Sequence, residues 1–404
     1  MNNRIVSMDQ FRGYTIVGMI LVNFIGDFKL VPDVFKHHNT YFSYADSIMP
    51  AFHFCVGFAM RLTLLKRLAT QGAGLTYWQF VRRNLGLILI ALVFFPSWAD
   101  FKSWEALTNV GLWGVLAGPL KSGFWNTLAI IGVTSLFVLP VMAARWWVRV
   151  IFMAAMAAVH VWMSDSFYFD FMWGRPNWFN DYWRGGVGDR TGLDGGPLGC
   201  VGWSIAQIAG SLAYDLIATK EKRRAAETLF VCGAAFMIIA YVLSCCTRLY
   251  DVPPGTPKGE TVIAESPVRL PFVNLADRSW SSLLAEPPFV KPPPGEERQY
   301  NYWMMSKRVC TLSFILFATG FALALYSVFV VACDATGFQL GAFRTFGVNP
   351  LAAYIIHLAV ANAVHRFAPG DSPWAWIAFS FALYFGVTYL MVWYLEKQKI
   401  FLRM

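Results

Sequence analysis

Long runs of apolar residues constrain this chain more than any other feature of its sequence. A helix needs roughly 20 such residues to cross the hydrocarbon core of a bilayer. Ten stretches approach that length, at about 11–28, 45–68, 82–98, 122–143, 148–164, 198–218, 226–246, 309–332, 346–364 and 373–395. A segment inside lipid must satisfy its own backbone hydrogen bonds. The runs therefore predict an all-α, polytopic integral membrane protein with about ten transmembrane helices.

The composition excludes a soluble alternative. Of the 404 residues, 57% are hydrophobic and 14% are charged, whereas soluble domains have about 45–50% apolar and about 25% charged residues. So few charges cannot cover the surface of a soluble protein of this size, and the mean hydropathy of +0.47 agrees with burial in lipid. The aromatic share of 17% suits rings that anchor a protein at two membrane interfaces.

Basic residues predict the orientation. Lys and Arg accumulate in the short cytoplasmic loops of membrane proteins, which explains the net charge of +9 without a nucleic-acid partner. The run Lys220–Arg224 is the clearest inner loop, and alternation of the spans around it leaves both termini cytoplasmic. Residues 165–197 and 247–308 then become long outer loops of a single domain spanning 1–404. We expect a multi-pass protein of the bacterial inner membrane, with lipids as partners and a homodimer as an allowed assembly.

The cysteines and histidines do not predict a metal centre. The seven cysteines are scattered, mostly within apolar runs, and they form no Cys-x-x-Cys pair. The cysteines and histidines also lack the spacing of a zinc site. Because the number of cysteines is odd, a disulfide framework is not expected either.

Polar and ionisable residues are concentrated in the first two predicted helices and the loop between them. They are Asp9, Arg12, Asn23, Asp27, His37, His38, Asp46 and His53. Such side chains are costly inside a membrane and mark functional sites by default. Some also have a structural interpretation, because Asp9 and Arg12 are spaced to pair on one helix face and Asp46 could cap the second helix. Asn23 and Asp27 share a helix face near the outer leaflet.

Four sequence elements, taken in order, carry a family resemblance. They are Arg4–Gly13, which follows the pattern R-x-x-S-x-D-x-F-R-G, Met19–Asn23, which ends in L-V-N, Phe35–His38, which contains K-H, and Ala45–Pro50, which reads A-D-x-x-x-P. This series resembles the heparan-α-glucosaminide N-acetyltransferase family. The rest of the chain matches more loosely, through Gly347–Leu351 near the C-terminus.

The resemblance implies an integral membrane acyltransferase that takes acetyl from cytoplasmic acetyl-CoA and passes it across the membrane to a sugar or glycan. Such a transfer needs a base for the incoming amine or hydroxyl group and donors for the developing oxyanion. Imidazole suits the base, so we assign that role to His37 or His38. Asn23 would donate to the oxyanion or hold the imidazole, and Asp46 would orient it.

Sequence alone does not decide between the two histidines. Aligning the Phe-Lys-His element selects His37, whereas counting back from Asp46 leaves His38 open. The two alignments select different histidines because Asn39–Phe42 is one residue shorter than the corresponding family segment. An acyl-histidine intermediate and direct transfer also remain alternatives.

Cations are needed for the phosphates of CoA, because the chain has neither a Walker loop nor a G-x-G-x-x-G motif after a strand. The candidate cations are Arg12, Arg61, Arg82 and Arg83. All four also fit the positive-inside pattern. The expected acceptor-binding residues are Asp27, Asn349, Tyr354 and His357. Asn349 and the proline after it have the pattern of a helix cap followed by a first-turn proline.

Two other functions compete with acyl transfer. A proton-coupled secondary transporter of a small solute could use a relay of ionisable groups, formed by Asp27, His37, Asp46 and His53. The inverted repeats of many transporters are not visible in the sequence. A receptor built on the long outer loops is a third interpretation, but it leaves the polar cluster unexplained. Binding of acetyl-CoA would separate the acyltransferase from both.

Overall fold

Helices make up the regular structure of this protein. The computed structural model describes residues 5–94, 101–182, 193–253, 262–271 and 279–402. Its α-helices are α1 (Val6–Ile25), α2 (Tyr44–Gln71), α3 (Ala73–Phe94), α4 (Trp104–Gly118), α5 (Thr127–Met142), α6 (Trp146–Met163), α7 (Phe169–Trp173), α8 (Trp178–Tyr182), α9 (Cys200–Thr219), α10 (Lys222–Cys245), α11 (Leu312–Phe329), α12 (Gly341–Val348), α13 (Pro350–His365) and α14 (Trp374–Lys397). Within the described ranges only isolated bridges occur and no strand forms, so the predicted all-α class is confirmed.

Several helices can cross a membrane. Among the described residues, six segments are long and apolar enough: Tyr44–Gln71, Trp146–Trp173, Gly196–Thr219, Lys222–Tyr250, Leu312–Ala335 and Trp374–Lys397. A seventh is added if α12 and α13 together form one bent span, and α5 is a shorter apolar helix. Every one of the ten predicted stretches overlaps a helix. A multi-pass membrane protein is thus supported, while the count of ten spans and the orientation of the termini stay predictions.

The predicted stretch 346–364 is not one continuous helix. α12 and α13 meet there at an angle of 100°. The break falls at Asn349, whose φ of −130° and ψ of 58° are not helical, immediately before Pro350. Proline lacks an amide hydrogen, and its ring disfavours the helical conformation in the residue that precedes it. α4 has no counterpart among the predicted stretches, and its backbone is interrupted at Gly111, where φ is 68°.

Glycines allow α1 to lie directly against α12. A Cβ on Gly13 would be 1.8 Å from the carbonyl oxygen of Phe343, and one on Gly347 would be 2.0 Å from that of Asp9. Only small residues let helix backbones in membranes approach this closely. The same contact allows Arg12 to donate from Nε to the Gly347 carbonyl over 2.7 Å. Helix α12 therefore fixes one of the predicted cations.

Helix α2 is the central element of the bundle. It packs against α1, α3, α5, α9 and α11. Its contact with α9 is again made through glycines, because a Cβ on Gly57 would be 1.8 Å from the Gln207 carbonyl oxygen and one on Gly210 would be 2.0 Å from that of Phe54. This packing fixes α2, the helix whose first turn carries Asp46, directly against α9.

Candidate functional site

The loop between α1 and α2 places His37 on the carboxylate of Asp46. The Nδ1 atom of His37 lies 2.9 Å from Oδ1 of Asp46. The Asp46 side chain is fully buried, whereas 46% of the His37 side chain is exposed. Because an ionised carboxylate can only accept, the proton of the neutral imidazole is on Nδ1 and the lone pair is on Nε2. His37 therefore has the tautomer that a general base needs.

The other oxygen of Asp46 is held by the chain around it. Oδ2 accepts from the His38 amide over 3.1 Å and from Oγ of Ser43 over 2.8 Å. Ser43 is the N-cap of α2, and its Oγ accepts from the Asp46 amide over 3.2 Å. This reciprocal arrangement resembles a capping box. Asp46 thus both stabilises the start of the helix and orients an imidazole.

The His38 side chain is engaged within its own loop. Its Nε2 atom lies 2.7 Å from the carbonyl oxygen of Asp33, to which it donates. Its ring stacks on Tyr41 with the centroids 4.2 Å apart. Of the two candidate histidines, His37 is the one whose ring contacts a carboxylate. The catalytic roles of both stay predictions.

Two of the predicted residues near the outer end of α1 do not join this cluster. Asn23 is exposed, and within the described ranges it makes no hydrogen bond to His37 or Asp46. Asp27 is also exposed, and its Oδ2 lies 3.6 Å from Nε2 of His365. The predicted use of Asn23 as an oxyanion donor stays a prediction.

A cavity of about 140 Å³ lies among α1, α2, α3, α5 and α13. Most of its wall is apolar, and its polar lining residues are Arg12, Asn84, Arg83, Thr127, Ser135 and Tyr354. A largely apolar wall with a few placed cations and hydroxyl groups suits a long ligand that is charged at one end.

Two of the four predicted cations line this cavity. Arg12 bonds to the Gly347 carbonyl and donates to Asp9 Oδ1 over 2.9 Å. Arg83 interacts electrostatically with Arg12 and Arg67, and in the described part of the chain no carboxylate pairs with it. Repulsion among these guanidinium groups would be relieved by an anionic ligand.

The other two predicted cations lie elsewhere. Arg61 donates to both oxygens of Asp215, over 3.0 and 3.3 Å, and to the Met142 carbonyl over 2.8 Å. Arg149, which is fully buried, shares the same carboxylate. This cluster ties α2, α6 and α9 together. Arg82 is exposed and does not line the cavity.

The predicted acceptor-binding residues near the C-terminus occupy different places. Tyr354 lines the cavity beside Thr127. Asn349 is buried, and its amide binds the C-terminal segment, donating to the Ile400 carbonyl over 2.9 Å and accepting from the Leu402 amide over 3.1 Å. His357 is buried in α13, and its Nδ1 lies 3.3 Å from the Ala353 carbonyl oxygen.

An ion pair that the sequence did not predict lies near Asp46. Nζ of Lys307 is 3.2 Å from Oδ1 of Asp194, and only 12% of the lysine side chain is exposed. Lys307 also interacts electrostatically with Asp46, and Asp194 interacts in the same way with Tyr354. The two residues are far apart in sequence, and the only local signal is the glycine-rich turn that follows Asp194. In the described ranges, no group of three or more metal-binding side chains is assembled.

Comparison with known families agrees with the sequence resemblance. Residues 4–182 match the family described as heparan-alpha-glucosaminide N-acetyltransferase, catalytic. The matched residues include the His37–Asp46 pair, Arg12 and Arg83, but not Lys307. A comparison with curated proteins gave no significant match. The family resemblance predicted from the sequence is therefore confirmed over these residues.

Proposed function

We propose that this protein is a membrane acyltransferase that moves an acetyl group from acetyl-CoA to an amine or hydroxyl group of a sugar or glycan. The observation that carries the proposal is the His37–Asp46 pair, because it has the geometry of a positioned base and lies within the residues that match an acetyltransferase family. The cavity that contains Arg12 and Arg83 supports a phosphate-bearing donor in the same bundle.

In the proposed reaction, the acceptor nitrogen or oxygen attacks the carbonyl carbon of the thioester while its proton moves to Nε2 of His37. Asp46 stabilises the imidazolium that forms, since its carboxylate already accepts from Nδ1. The electron pair of the C=O π bond moves to the carbonyl oxygen. When it returns, the C–S bond breaks, and the CoA thiolate leaves with the proton from His37. The products are an N- or O-acetylated acceptor and free CoA.

Acetyl-CoA would enter the cavity with its phosphates on Arg12 and Arg83. The apolar wall would hold the pantetheine arm, as in other pockets for amphipathic ligands. Each charge-assisted hydrogen bond to a phosphate contributes about 1.5–3 kcal/mol. Two guanidinium groups are therefore enough to anchor the donor in one orientation.

The length of α2 supports transfer across a membrane. Asp46 lies in its first turn, and Arg67, which interacts with Arg83, lies near its other end. At 1.5 Å per residue these two positions are about 31 Å apart along the axis, close to the roughly 30 Å of the hydrocarbon core. We infer that the cations face the cytoplasm and the histidine the outer side, with ten spans and both termini inside. Lipids and a glycan acceptor would be the partners in a bacterial inner membrane.

Two neighbouring arginines give a matched test of donor binding. Arg83 lines the cavity and Arg82 does not, although both lie on α3. Arg83→Met should weaken acetyl-CoA binding to the purified protein by about 10–150-fold, which corresponds to one lost charged hydrogen bond. Arg82→Met should leave the dissociation constant within about twofold of the wild type. Equal losses in the two variants, or no binding by the wild type, would contradict the proposal.

A transporter remains the second candidate because of one buried polar chain. His53 is fully buried and stacks on Trp203, and Gln207 connects its Nδ1 to Ser135, which lines the cavity. Such a buried polar chain beside a cavity could line the path of a solute. The acetyl-CoA experiment separates the two functions, since a transporter of an unrelated solute would not be stabilised by acetyl-CoA.

A further inference from the structure

We propose that Lys307, held by Asp194, is the cation that stabilises the negative charge on the thioester carbonyl oxygen during acyl transfer. The inference rests on the proposed function and supplies the group that Asn23 was expected to provide. It concerns residues outside the part of the chain that matches the acetyltransferase family.

The first argument is position. Lys307 interacts with the buried carboxylate of Asp46, which binds His37. Its partner Asp194 interacts with Tyr354, which lines the cavity. Trp203 donates from Nε1 to the Asp194 carbonyl oxygen over 2.9 Å and stacks on His53, which lies about two helical turns from Asp46 on α2. The ion pair therefore lies beside the N-terminal half of α2, the helix that carries Asp46. A thioester that extends from the cavity toward His37 would bring its carbonyl group into this region.

The second argument is the rigidity of the support. Asp194 has a φ of 50° and Cys310 a φ of 60°, and residues other than glycine rarely adopt this left-handed conformation. The Gly195 amide donates to the Arg308 carbonyl over 2.9 Å, so the turn that carries Asp194 is bonded to the segment that carries Lys307. The structure thus fixes the ammonium group before any substrate arrives.

The third argument is the cost of burial. A lysine with 12% of its side chain exposed loses most of its hydration, and a pair of ions in such a place is seldom a net source of stability. Burial lowers the pKa of Lys307, but the carboxylates of Asp194 and Asp46 outweigh it and raise the pKa overall. Lys307 is therefore a permanent cation at neutral pH, facing two carboxylates and the Cys310 thiol.

The charges balance through the proposed step. Before attack, the two carboxylates face one ammonium group and a neutral imidazole. During attack, His37 gains a proton from the acceptor and the carbonyl oxygen gains the electron pair of the π bond. Lys307 keeps its proton and donates a hydrogen bond to that oxygen, and collapse of the intermediate expels the thiolate. A fixed donor of this type typically contributes about 10²–10³ in rate.

The test compares Lys307→Met with Lys307→Arg in the full-length protein, using acetyl-CoA and an amino sugar. We expect Lys307→Met to lower kcat by about 10²–10³-fold with the affinity for acetyl-CoA within about twofold of the wild type. Lys307→Arg should recover a large part of the loss because it restores the charge. If Lys307→Met transfers acetyl at the wild-type rate, Lys307 is not the stabilising cation.

A pH profile keeps the inference testable if Lys307→Met does not fold. In Asp194→Asn, burial still lowers the pKa of Lys307 while its nearest carboxylate is lost. The pKa of Lys307 should therefore be lower in this variant. The rate should begin to fall, as Lys307 loses its proton, at a lower pH than in the wild type with the same acceptor. If the rate falls at the same alkaline pH in Asp194→Asn and in the wild type, the inference is overturned.

The two proposals fail in different ways. A wild-type protein that transfers no acetyl group would contradict the proposed function. A wild type that transfers acetyl and loses this activity in His37→Ala, but not in Lys307→Met, would overturn only the role of Lys307.

Discussion

Replacing the two neighbouring histidines one at a time should give opposite results. In His37→Ala the proposed base is lost, and loss of a general base lowers the rate by about 10²–10⁴-fold. In His38→Ala the backbone amide that donates to Asp46 is kept, and the lost contacts are those to the Asp33 carbonyl and the Tyr41 ring. The first variant should therefore lose activity and the second mainly stability.

The expected magnitudes follow from these contacts. A loss of 10²–10⁴ in rate corresponds to about 2.7–5.4 kcal/mol of transition-state stabilisation. The ground-state cost of His37→Ala should be only about 1 kcal/mol, because its side chain is half exposed and makes one hydrogen bond. His38→Ala loses one hydrogen bond and one stacking contact, about 1–3 kcal/mol together.

The assay measures kcat with saturating acetyl-CoA, together with the thermal unfolding midpoint of each variant. Asp46→Asn is a further check, because it keeps the shape of the side chain but removes the charge that favours the imidazolium. If His38→Ala abolishes acetyl transfer while His37→Ala does not, the base is His38 and the assignment to His37 is wrong. Full activity in both single variants and in the double variant would exclude a mechanism in which either histidine is the base.

Three further predictions concern stability, each measured by the thermal unfolding midpoint in detergent. Burial raises the pKa of Glu286, but its bonds to the buried Arg298 outweigh this and lower the pKa overall. The ionised Glu286 therefore stabilises the fold fully above the ordinary pKa range of glutamate, and this stabilisation is lost as the pH falls through the lowered pKa. Glu286→Gln should abolish that acid dependence. Asn349→Ala should cost about 1–3 kcal/mol for its two bonds to the C-terminal segment and expose that segment to proteases. Asp215→Asn should cost about 3–5 kcal/mol, because it leaves the buried Arg149 without its carboxylate. An acid dependence that persists in Glu286→Gln, or a midpoint equal to that of the wild type in Asn349→Ala or Asp215→Asn, would contradict the corresponding prediction.

The hydrophobic pattern was a good guide to where helices form and a weaker one to how they are joined. Each predicted apolar stretch overlaps a helix, because a lipid-exposed backbone has few other options. The break at Asn349 was harder to see, since the apolar residues on both sides continue past it. Pro350 was interpreted as the first residue of a helix, but the consequence, a bend of 100° from α12, depends on packing against α1.

Local sequence order explains why part of the site could be predicted. His37 and Asp46 are joined by a short loop, so their contact follows from the chain itself. Lys307 and Asp194 come into contact only through the packing of two segments that are distant in sequence. No sequence pattern predicts this contact. Sequence also could not distinguish arginines that have structural partners from those that line a cavity. Arg61 and Arg83 both fit the positive-inside pattern, and only the fold separates the ion pair with Asp215 from the cavity wall.

Sidedness of transfer tests the central claim most directly. The purified protein is placed in sealed vesicles, with acetyl-labelled CoA outside and glucosamine enclosed inside. We predict that labelled N-acetylglucosamine accumulates inside, that it is not formed by His37→Ala, and that the CoA product stays outside. Label that remains entirely on CoA, or product that forms only when both substrates share one compartment, would contradict acyl transfer across the membrane.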